Sequence, residues 1–265
     1  MAQTTVLPPL READAVVFDV DGVVTDSARV HAAAWKEAFD AYLRDHPPAD
    51  PVHRRPFDAE TDYLRHVDGK PRLDGAASFL ASRGLNTGPE AVEEVAAAKE
   101  KVFVAHLRSG DIVAYPGTVR LLRALHRDGV PLAAASSSRH ATELLQRVGV
   151  ADLFGAIVDG TESRRLGLPG KPDPALFLHA AERLGRPPAR TAVVEDALAG
   201  VEAGHRGGFS PVIGVDRLDD GTHGPALREH GAGTVVRDLA ELLTAPEDPA
   251  PHPAHTADSP REEAS

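Results

Sequence analysis

The sequence contains no cysteine, which excludes disulfides, a cysteine nucleophile and a thiolate-bound metal. It has no block of basic residues: 29 Lys and Arg stand against 40 Asp and Glu, for a net charge of −11. Nucleic-acid binding leans on clustered Lys and Arg and is therefore not expected. No run of about 18 apolar residues, the length that spans a bilayer, is present either, so no membrane partner is expected. Residues 1–14 include Pro8, Pro9, Arg11, Glu12 and Asp14 without an apolar core, and do not read as a signal peptide. These absences fit a cytoplasmic protein. What remains is an ordinary globular balance, 42% hydrophobic and 26% charged over 265 residues. That is enough for one large domain or a core plus a smaller unit.

The stretch from Val16 to Ser27 organises the rest. The apolar run Ala15 to Phe18 reads as a buried strand. It ends in two acids at i and i+2, Asp19 and Asp21, and Gly22 permits a tight turn off the strand end. Open α/β sheets bind ligands outside the carboxyl ends of their strands. Taken alone, the two acids read first as a solvated strand end with capping acids, and the residues downstream decide.

Thr25 to Leu43 reads as a helix, with Val30, Ala34, Ala38 and Tyr42 on one face. His31 and Trp35, four apart, share a face; as residue types they suit packing as well as a site. Residues 45–57 are a proline-rich loop, and Asp74 to Arg83 and Glu90 to Leu107 are helices. Residues 33–110 thus form a helical insert with no strong strand. From Asp111 the βαβα alternation of a parallel α/β sheet returns. A helix, Thr118 to Arg127, leads to a strand, Val130 to Ala135, which ends in Ser136-Ser137-Ser138-Arg139-His140. Hydroxyls ahead of a helix N-terminus suit a phosphate, and equally plain capping. A helix (Ala141 to Val148) and a short strand (Ala156 to Val158) follow. Lys171-Pro172-Asp173-Pro174 then precedes a helix from Ala175 to Leu184. The strand Thr191 to Val194 ends in Glu195-Asp196, and Pro211 to Val215 and Thr234 to Val236 are the last strands. Residues 246–265, rich in Pro, Ala, Asp and Glu, are expected to be disordered.

The string Phe18-Asp19-x-Asp21-Gly22-Val23-x-Thr25-Asp26-Ser27, with Ser136, Lys171 before a proline, and Glu195-Asp196, resembles the four motifs of the haloacid dehalogenase superfamily. Thr25-Asp26-Ser27-Ala28, His31 and Trp35-Lys36 are similar to its β-phosphoglucomutase branch. The resemblance covers about residues 13–245. It implies a three-layer, Rossmann-like α/β core with a parallel sheet (13–32 and 111–245), interrupted by an α-helical cap (33–110). It implies Asp19 as the nucleophile that takes up a phosphoryl group and Asp21 as the general acid/base. A carboxylate needs no activation to attack, and a second carboxyl can carry the proton. Lys171 would neutralise the crowded carboxylates and the incoming phosphate. Asp19, Asp21 through its backbone carbonyl, Glu195 and Asp196 would hold Mg²⁺, which takes hard oxygen ligands. Ser136, Ser138 and Arg139 would contact phosphate and sugar, His31 and Trp35 would lie near the cap hinge, and Gly69 and Arg72 in Gly69-Lys70-Pro71-Arg72 would bring a cap arginine to a distal phosphate. Lys101 stands as a further cap lysine. Ala197 departs from the serine usual after the paired acids, and Val102 from the asparagine usual beside the cap lysine.

The implied reaction converts β-glucose 1-phosphate to glucose 6-phosphate through glucose 1,6-bisphosphate. Two alternatives stay open at this point: a phosphatase of a small sugar phosphate, with water as acceptor, and a sensor that binds without turnover. A small-molecule sugar phosphate is the expected partner, and a monomer the expected state.

Overall fold

A computed structural model of the chain describes residues 4–109, 112–218 and 220–244. The expected disordered tail, 246–265, lies outside the described residues. Six parallel strands form one sheet in the order β3-β2-β1-β4-β5-β6. They are β1 (Ala15–Phe18), β2 (Leu132–Ala135), β3 (Ala156–Val158), β4 (Thr191–Glu195), β5 (Val212–Val215) and β6 (Thr234–Val236). The small and β-branched runs that make β1, β2 and β4 are buried at every position. That is why they read as continuous apolar segments rather than alternating ones.

Nine helices are described: α1 (Ser27–Asp45), α2 (Arg72–Ser82), α3 (Pro89–Ser109), α4 (Pro116–Arg127), α5 (Ala141–Arg147), α6 (Gly160–Leu166), α7 (Ala175–Arg183), α8 (Leu198–Arg206) and α9 (His223–Glu229). Leu121, Leu122 and Leu125 of α4 and Leu145 of α5 pack on one face of the sheet. Phe177 of α7, Val201 of α8 and Leu227 of α9 pack on the other. The result is the expected three-layer core. Two of the nine helices, α6 and α9, lacked a periodic apolar face in the sequence. Asp159 caps α6 by accepting from the amides of Thr161 and Glu162.

The insert is helical, as expected. Its own core packs Phe39, Phe57 and Phe79 in tilted and edge-on contacts with ring centroids 4.0–5.1 Å apart. Each such buried ring contributes about 2–3 kcal/mol. The helix α1 crosses the expected boundary at 32/33 without a break: Val30 and Ala34 pack with Phe103 and Leu107 of α3 and Leu144 of α5 at the joint, and Trp35 onward belongs to the cap. Among the described residues, no helix is long and apolar enough to cross a membrane.

Candidate active site

Sheet order reverses between β1 and β4, so the chain leaves those two strands in opposite directions and opens a crevice at their carboxyl ends. Asp19 leaves β1 there, and Glu195 ends β4 with Asp196 next. Lys171, from the segment before α7, reaches between them. Its Nζ donates to Asp19 Oδ1 at 2.6 Å and to Glu195 Oε1 at 2.5 Å, all three side chains being buried. Burial works against the lysine's charge, but Asp19 and Glu195 outweigh it and raise its pKa above the ordinary lysine value. Glu195 Oε2 accepts from the Ala197 amide at 2.6 Å, and Gly200 on α8 leaves the room its carboxylate fills. Both oxygens of Glu195 are therefore engaged. Its place here is to hold Lys171, which differs from the ligand role expected of it.

Asp19 and Asp196 carry an excess of negative charge. Burial pushes both carboxyls well above the usual range. The charges of Glu195 and Asp21 add to the shift at Asp19, and those of Asp68, Glu195 and Asp19 at Asp196, while Lys171 opposes both. Gly22, with φ +82°, lets the turn after β1 lie against the Asp196 carboxylate, where a Cβ would collide. Two desolvated carboxylates in this state are suited to a divalent cation. No group of three His, Asp or Glu side chains at ligating spacing is found among the described residues. Mg²⁺ does not require one, since it commonly takes one or two carboxylates and completes its shell with waters and phosphate oxygens. Asp19 and Asp196, with the Asp21 carbonyl, are the residues that would hold it.

The Asp21 carboxylate accepts from Ser27 Oγ at 2.5 Å and from Ser136 Oγ at 2.9 Å. His31 Nε2 lies 3.2 Å away. Burial raises the Asp21 pKa, but His31 and the two serines outweigh it and hold the group below the usual carboxylate range. Ser136 thus faces Asp21, and its Oγ also accepts from the Ser138 amide. On its other side His31 Nδ1 accepts from Lys99 Nζ at 2.7 Å, which leaves the ring proton on the nitrogen facing Asp21. Phe103 stacks on His31 at 4.0 Å, and the Lys99 ammonium lies over the rings of Phe103 and Trp35. Burial brings the Lys99 pKa down to about 7 against the charges of Glu100 and Asp21.

The cap closes over this floor and leaves a cleft of about 350 Å³. Ser137 Oγ donates to the Gly69 carbonyl at 2.9 Å, joining core to cap. Asp19, Asp21, His31, Trp35, Gly69, Arg72, Ser138, Arg139, Glu195 and Asp196 line the cleft, so the expected residues largely converge. Lys101 does not: it is exposed on α3, and Lys99, two residues earlier on the same helix, lines the site instead. Sequence reasoning also missed Asp68, Glu100 and His140. Burial and the nearby Glu195 raise the Asp68 pKa to about 7, against a hydrogen bond from Tyr63. Where α3 meets the segment after β2, Glu100 pairs with Arg72 at 3.1 Å, Arg139 at 2.9 Å and His140 at 2.8 Å. The Nε of Arg72 is buried there without a hydrogen-bond partner.

A sequence profile described as haloacid dehalogenase-like hydrolase matches residues 13–208. The chain belongs to that family. Within it, the chain is 40% identical over 239 residues to a β-phosphoglucomutase of Mycobacterium bovis, an alignment that covers 86% of this chain and 91% of that protein. It is 29% identical over 228 residues to a phosphorylated carbohydrates phosphatase of Thermotoga maritima, covering 84% and 94%. A hydrolase from Pseudomonas syringae of known crystal structure superposes with a TM-score of 0.70 at 26% identity, over 86% of this chain and 95% of that one. Family and relatives together support an enzyme of phosphoryl transfer.

Proposed function

We propose that this enzyme is a β-phosphoglucomutase, interconverting β-glucose 1-phosphate and glucose 6-phosphate through glucose 1,6-bisphosphate. One observation carries the reading: the cleft joins an acidic, cation-suited cluster around Asp19 to a separate group of basic side chains. One end holds the acidic cluster of Asp19 and Asp196, backed by the buried Lys171, which would take a phosphate together with a divalent cation, and the other holds Arg72, Arg139 and His140. A bisphosphate needs both ends, and a planar guanidinium is well suited to a phosphate.

In the first half-reaction an Asp19 oxygen attacks phosphorus. The bond from phosphorus to the sugar oxygen breaks, and that oxygen takes a proton from Asp21. In the second, a sugar hydroxyl attacks the aspartyl-phosphate, gives its proton to Asp21, and the Asp19 carboxylate is regenerated. Phosphorylated Asp19 thus donates to the 6-hydroxyl of β-glucose 1-phosphate, and after the bisphosphate turns over, Asp19 accepts the 1-phosphate. Lys171 stays paired with Asp19 and offsets the charge brought by the phosphoryl group. The Ser137–Gly69 hydrogen bond ties cap to core, the closure that a water-sensitive aspartyl-phosphate needs. Bound Mg²⁺ would neutralise charge on the transferring group.

The test follows glucose 6-phosphate and free phosphate together, from β-glucose 1-phosphate primed with glucose 1,6-bisphosphate and Mg²⁺. Glucose 6-phosphate in large excess supports the mutase. Stoichiometric free phosphate without glucose 6-phosphate would refute it in favour of hydrolysis.

A further inference from the structure

Neither the motifs nor the proposed reaction accounts for Glu100. It stands on α3 in the cap, and its carboxylate lies among the cations that the reading above gives to the distal phosphate. Oε1 accepts from His140 Nε2 at 2.8 Å and pairs with Arg139 Nη2 at 2.9 Å, while Oε2 pairs with Arg72 Nη1 at 3.1 Å. Two of the partners, Arg139 and His140, belong to the core, and Arg72 to the cap. The hydrogen bond from His140 holds the Glu100 pKa down to about 2, burial opposes it, and the charges of His140, Arg139 and Arg72 add to the lowering. Glu100 is therefore an anion at any working pH. One carboxylate does not fill the cluster, because Arg72 Nε remains buried without a partner.

Oε1 lies between Arg139 and His140, and Oε2 against Arg72, as phosphate oxygens would. We propose that Glu100 is an internal stand-in for the distal phosphate, an anion that holds Arg72, Arg139 and His140 together in the empty cleft and competes with the ligand for them. The inference rests on the reading that these cations grip a distal phosphate. It also answers a need of that reaction. A bisphosphate held at both ends must let go and turn around in every cycle. A resident anion weakens the distal grip by like-charge repulsion and by offering the cations another partner.

The experiment measures binding of glucose 6-phosphate by calorimetry to the wild type and to Glu100→Gln, with melting temperatures recorded. Glutamine keeps the size and one acceptor oxygen while removing the charge. We expect Glu100→Gln to bind about tenfold tighter, a gain that the loss of a merely structural residue would not produce. Glu100→Ser, which also removes the charge, is the second variant, and both are purified with glucose 6-phosphate present. Unchanged or weaker binding in the variants that fold would overturn the proposal. So would failure of both to fold, since the ligand then supplies the charge that Glu100 supplied. If the wild type binds no glucose 6-phosphate, the distal grip and the stand-in fall together. Tight binding without mutase turnover would refute only the reaction assigned above.

Discussion

Arg72→Ala separates recognition from chemistry. The arginine lines the cleft from the cap, with its side chain 13% exposed and an ion pair to Glu100 at 3.1 Å, while Asp19 lines it from the core. Removing it strands no buried carboxylate, because Glu100 keeps Arg139 at 2.9 Å and His140 at 2.8 Å. The fold is therefore expected to survive, with a melting temperature within about 3 °C of the wild type. A distal phosphate loses one charged partner in a cleft that is partly open to solvent. That places the cost at the lower end of the range for truncated charge pairs, about 2–3 kcal/mol. Conversion of β-glucose 1-phosphate should then fall about 30- to 150-fold in kcat/KM. Acetyl phosphate engages only the Asp19 end, so its hydrolysis should fall less than about fivefold. Both activities are assayed on the same preparations. Equal losses would refute the reasoning and make Arg72 a support of cap closure rather than a phosphate ligand.

Asp19→Ala should form no aspartyl-phosphate from labelled acetyl phosphate; turnover above a tenth of wild type would remove Asp19 as the nucleophile. Asp21→Asn keeps the shape that receives Ser27 and Ser136 but cannot carry a proton, so turnover should drop about 10²-fold or more, and a full-rate variant would refute the role. Acid should weaken the tie between cap and core. The folded pKa of Glu100, about 2, lies below its ordinary 4.5, so its contribution is complete above pH 4.5 and is lost as pH falls toward 2. The difference in unfolding free energy between the wild type and Glu100→Gln should shrink across that window, and a difference independent of pH would contradict the bridge.

Strand-end chemistry was legible because it is local. An apolar run, a turn glycine and an acid are adjacent in the chain, and sheet topology brings such ends together. Asp19, Asp21, Lys171 and Asp196 therefore appear where their motifs put them. The cap residues were less legible because a helix face is set by packing. The segment from Ala96 to Lys101 offers two lysines and a glutamate with little apolar contrast. The usable signal was the spacing of four that puts Val95, Lys99 and Phe103 on one face. Val95 and Phe103 are fully buried, so Lys99 shares their side and Lys101 points away. Glu195 misled for another reason. Paired acids at a strand end suit a metal, but only the fold reveals that Lys171 and the Ala197 amide already occupy both oxygens of the first.

The position of β1 bears on the order of events during synthesis. Val16 pairs with Leu132 on one side and with Ala192 on the other. The strand that carries the nucleophile is thus among the first segments made; one edge must wait for β2, half-way along the chain, and the other for β4. Contacts so distant in sequence form slowly. The phenylalanine cluster of the insert is drawn from Phe39 to Phe79, and it is complete on the growing chain long before β4 emerges. The cap is expected to condense first. Until β4 arrives, the run from Ala15 to Phe18 keeps one bare edge open to pairing with another chain.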